Sequence, residues 1–98
     1  MKLSKEQAEE LSRGLVDHGK LIEAGFVGLR TVISPDAPTV QIEEMRMAFF
    51  AGAQHLFSSI MTILEPGAEP SDKDLHRMTL INNELREFEE QFKRKYAL

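Results

Sequence analysis

Apolar and polar positions alternate along this chain with a helical period. After Ser4, apolar residues recur at Leu11, Leu15, Ile22, Phe26, Leu29 and Ile33, in steps that keep them on one helix face. His18 fills the widest gap in that row. Glu6, Glu9, Arg13, Asp17, Lys20 and Arg30 fall on the opposite face, where water solvates them. Ser4 and Gln7 have the spacing of a capping box, so the pattern predicts a first helix over residues 5–33. Gly14, Gly19, Gly25 and Gly28 lie inside it, each weakening a helix by roughly 1 kcal/mol relative to alanine. Gly14, Gly25 and Gly28 share a flank with Leu21 and Val32, as close approach of a neighbouring helix requires. A break near Gly19 is the alternative.

Pro35 and Pro38 exclude a continuous helix through 34–39. Thr39 is the expected N-cap of a second helix over 40–65, roughly 39 Å long. Within it, Met47 to Leu64 carries no charged side chain. One face is large and apolar: Ile42, Met45, Phe49, Phe50, Ala53, Leu56, Phe57, Ile60, Ile63 and Leu64. It spans about 140°, wider than the ~100° stripe of an ordinary surface helix, and so has room for two neighbours. The other face is small and neutral, with Ala48, Ala51, Gly52, His55, Ser58, Ser59 and Thr62.

Pro66, Gly67 and Pro70 stop the second helix, and Ser71 caps a third over 72–97. The seam of the third helix is Met78, Ile81, Leu85, Phe88, Phe92 and Tyr96. Lys93, Arg94 and Lys95 complement the dipole at its end, and Glu89–Lys93 and Glu90–Arg94 have i,i+4 spacing.

Three helices joined by short loops predict an all-α protein: an antiparallel three-helix up-down-up bundle forming a single domain over 1–98. Phe49, Leu56, Leu85 and Phe92 are its expected core. Such a bundle leaves the neutral face of the second helix in water, so Ala48, Ala51, Gly52, His55, Ser59 and Thr62 are the candidate interface. A second copy is the expected occupant, making a homodimer, with another protein partner as the further possibility.

Charge narrows the choice of partner. The net charge is −4, and it falls in residues 34–71, which hold five acids and the single base Arg46. The flanking segments are each neutral, so no basic patch invites nucleic acid. The absence of cysteine excludes disulfides, thiolate metal sites and a cysteine nucleophile, and suits a cytoplasmic protein. No signal-peptide apolar region follows Met1. Gln54, His55, Ser58, Ser59 and Thr62 argue against a membrane span, since each needs a hydrogen-bond partner in lipid.

Candidate chemistry is sparse. No Glu-x-x-His, His-Glu-x-x-His, P-loop or dinucleotide glycine pattern occurs. Ser58 and Ser59 have His55 nearby but no acid on the same turn. His18 reads as a seam histidine, His55 as a hydrogen-bonding interface residue, and His76 as a surface partner of Asp72. The expectation is a protein that is not an enzyme and holds no metal or cofactor. The rival is a small-ligand or metal-binding bundle, with a cavity opened by the glycines of the first helix and lined by His18, Met45 and Phe49.

Glu44-Met45-Arg46-Met47-Ala48-Phe49-Phe50-Ala51-Gly52-Ala53 resembles a Met-Arg-x-Ala-Phe-aromatic-Ala-Gly-Ala stretch in small uncharacterised proteins of bacteriophages and prophages. There, too, a proline-containing segment precedes it, similar to Pro35-Asp36-Ala37-Pro38. The resemblance implies a prophage-like bacterial origin and a small accessory or assembly role. It carries over no activity, cofactor or catalytic residue. The expected function is therefore non-catalytic protein–protein interaction or assembly.

Overall fold

A computed structural model describes residues 3–98, and every regular element among them is a helix. The first, α1 (Lys5–Asp17), opens on the expected capping box. Ser4 Oγ accepts from the Gln7 amide at 3.1 Å, and Gln7 Oε1 accepts from the Ser4 amide at 2.9 Å.

The single first helix expected over 5–33 is two helices, and the three-helix count becomes four. α2 spans Leu21–Arg30, and the break is made by Gly19. Its φ of +69° is the left-handed conformation that a side chain disfavours. The Gly19 amide donates to Val16 O at 2.9 Å, and the Lys20 amide to Leu15 O at 2.8 Å. This pair of bonds is a Schellman ending, which satisfies carbonyls that the helix terminus would otherwise leave unpaired. After α2, Thr31, Val32 and Ile33 donate to carbonyls three residues back, so the helix tightens into its last turn before Pro35.

α3 spans Thr39–Ile63 and α4 spans Asp72–Tyr96. α3 starts one residue earlier than expected. Thr39 is already helical, and the Pro38 carbonyl accepts from the Ile42 amide at 3.1 Å. By internal packing the chain divides into two units, Met1–Gln54 and His55–Leu98, and α3 contributes residues to both.

In the first unit the buried apolar side chain is Phe26, 3% exposed. Its ring lies 5.7 Å from that of Phe49. Gly25 makes room for this contact, since a Cβ there would lie 3.2 Å from Phe49 Cζ. Arg46 ties α2 to α3 by donating to Glu23 Oε2 through Nη2 at 2.7 Å and Nε at 3.1 Å. Its guanidinium also sits 4.4 Å from the centre of the Phe50 ring. Ile42, Met45, Phe49, Phe50 and Ala53 are half-buried around these contacts.

In the second unit the α3–α4 turn is built on Asp74, which is buried at 3% exposure. Its carboxylate accepts from the Glu65 amide at 2.9 Å and the Ser71 amide at 3.1 Å. Ser71 Oγ accepts from the Asp74 amide at 3.1 Å and donates to Glu65 Oε1 at 2.7 Å. Arg77 closes the network, with Nη1 3.6 Å from Asp74 Oδ1 and donating to Ile63 O at 3.2 Å.

The expected core differs in one respect. Phe49, Leu56 and Phe92 are half-buried, but Leu85 is 48% exposed, and Phe57, placed on the large face of α3, is 67% exposed. α3 and α4 meet at the turn around Asp74, where the Glu65 amide and the Ile63 carbonyl are held, and Leu85 lies about three turns along α4 from it.

Candidate interaction surfaces

The neutral face of α3 lies open. Ala48, Ala51 and Gly52 in the first unit are exposed, as are His55 and Thr62 in the second, and Ser59 is half-buried. A Cβ placed on Gly52 meets nothing within 4 Å. Thr62 Oγ1 donates back to Ser58 O at 2.8 Å, so its hydroxyl is satisfied along the helix. These side chains are small and uncharged.

A second surface was read from sequence as a buried seam and is instead exposed. Along α4, Phe88, Phe92 and Tyr96 stack at i,i+4 spacing, with ring centres 5.8 Å and 4.8 Å apart. Phe92 is half-buried between its neighbours, while Phe88 is 59% exposed. Beside the ladder, Lys93 Nζ lies 2.8 Å from Glu89 Oε1. The hydrogen bond with Lys93, and then its charge, hold the Glu89 carboxyl below its ordinary range. The same contacts push Lys93 up. Nothing in the sequence separates this surface from a buried seam, because the same apolar spacing serves both.

The histidines do not converge. His18 is exposed, and its Nδ1 donates to Gly14 O at 2.7 Å, so it caps the end of α1 rather than packing in a seam. His55 and His76 are exposed, and His76 makes no ion pair with Asp72 among the described residues. No three His, Asp or Glu side chains among the described residues approach as metal ligands would.

The cavity expected from His18, Met45 and Phe49 does not form. His18 lines an open groove of about 490 Å³ along α1 with Leu11, Gly14 and Leu15. The space above Gly25 is filled by the Phe49 ring. No helix among the described residues is long and apolar enough to cross a membrane. Comparison with protein-family models, curated proteins and solved structures finds no significant match to this chain.

Proposed function

We propose that this chain is a non-catalytic interaction protein that works by protein–protein contact and associates with itself. The observation that carries the reading is the exposure of large apolar side chains on faces of regular helices, Phe57, Leu85 and Phe88 foremost. Isolated exposed apolar residues are ordinary, but a contiguous helical stripe of them marks a docking surface. Leaving such a stripe in water forgoes roughly 25 cal/mol for each Å² that a partner would cover. On this reading the bundle expected from the sequence is completed between copies, with the neutral face of α3 as a helix–helix contact near Ala48, Ala51 and Gly52. His55, Ser59 and Thr62 supply the polar rim. The resemblance of Glu44 to Ala53 to phage and prophage sequences adds an accessory or assembly role in a bacterial cytoplasm.

Gly52→Leu tests the α3 contact. In an exposed helix leucine is the better helix former by roughly 0.8 kcal/mol, so on an unpartnered face the variant gains stability and keeps its mass. On a contact face the leucine holds the two helices apart. The expected result in light scattering behind size exclusion is dissociation or aggregation. A variant that keeps the wild-type mass removes the α3 face from the account.

A further inference from the structure

We propose that α4 pairs antiparallel with α4 of a second copy through the aromatic ladder. This rests on the self-association reading but uses a surface separate from the neutral face of α3. Two observations select a second copy as the occupant. The first is charge order. Along α4, residues 84–90 hold the acids Glu84, Glu87, Glu89 and Glu90 with the one base Arg86, and the bases Lys93, Arg94 and Lys95 follow. An antiparallel copy sets acidic stretch against basic stretch twice over, whereas a parallel copy sets like against like.

The second is area. Leu85, Phe88 and Tyr96 together leave roughly 300 Å² uncovered on each copy, given that an aromatic side chain carries about 150–250 Å². Two copies thus cover about 600 Å² through these side chains, and the stems of Glu84, Gln91 and Lys95 beside them add towards the ~1,000 Å² that a specific interface needs.

The register follows from the helix period. With the twofold axis near Glu90, Phe88 of one copy meets Phe92 of the other, and Leu85 packs on the stem of Lys95. Glu84 and Lys95 lie on the same flank of the seam, so each Glu84 comes across from the second copy's Lys95. The contact is isologous and needs no other partner.

The test is light scattering and sedimentation of the full chain over a concentration series. Phe88→Glu should weaken association by about tenfold or more, because it buries a carboxylate between rings. Phe88 is exposed in the chain alone, and circular dichroism checks that the helix persists. A charge exchange tests orientation without touching the rings. Glu84→Lys and Lys95→Glu should each weaken association by about threefold or more, and the double exchange should restore it.

A Phe88→Glu chain that associates as the wild type does overturns the ladder proposal, as does a double exchange that fails to restore. Neither result touches the α3 contact, which Gly52→Leu reads separately. A wild type that stays at the mass of one copy overturns both.

Discussion

Asp74 lies in the first turn of α4, where a carboxylate complements the helix dipole, and it also holds the turn before it. Its carboxylate collects amides from both sides of the α3–α4 turn, and the hydrogen bond from Glu65 is the largest reason its pKa is depressed. The Ser71 amide and hydroxyl and the Arg77 charge act in the same direction, against the opposing effect of burial. The folded protein therefore holds the carboxylate below the ordinary value of 3.8, while the unfolded chain does not. The resulting stabilisation is present above that value and is lost as pH falls through the lower, folded pKa. Asp74→Asn should melt below the wild type near pH 7, and the gap should be smaller at pH 3, because the stabilisation drains away as pH falls from 3.8 through the lower folded pKa. Thermal melts at the two pH values check this; a gap of equal size at both contradicts it. The caps at Ser4 and Ser71 were legible in the sequence because a capping box is local. The role of Asp74 was not, because its decisive donor, the Glu65 amide, arrives from across the turn.

At the scale of elements, helical character, the start of α1 and, to within one or two residues, the ends of α3 and α4 were readable from period, prolines and caps. The break near Gly19 was read only as the alternative to one continuous helix, because the apolar spacing from Leu15 to Ile22 runs straight through it. Gly19 stood as one of four glycines, and only its left-handed conformation separates it from Gly14. Substitution should separate them too. Gly14 lies within α1 with nothing within 4 Å of a Cβ, so Gly14→Ala should stabilise the protein by roughly 0.5–1 kcal/mol. Gly19→Ala places a side chain at positive φ and should destabilise it by about 1 kcal/mol. Urea unfolding of the two variants reads the opposite signs, and a shared sign contradicts the Schellman ending. Gly25 differs again, because the Phe49 ring already occupies the space a Cβ would take.

For the whole molecule, the apolar pattern names which faces avoid water but not what covers them. The seam of α4 was readable residue by residue, yet nothing local to it distinguishes a neighbour in the same chain from one in a second copy. The α3 face is narrower than the pattern suggested, with Phe57 outside it, for the same reason. The proposed self-association would account for the uncharged run of α3, the exposed ladder of α4 and the charge order beside that ladder. The most direct test is the molar mass of the unmodified chain, by light scattering behind size exclusion from micromolar concentration upwards. The account predicts a mass of at least twice the 11.1 kDa of one copy, falling on dilution. A mass that stays at 11.1 kDa across the series contradicts it.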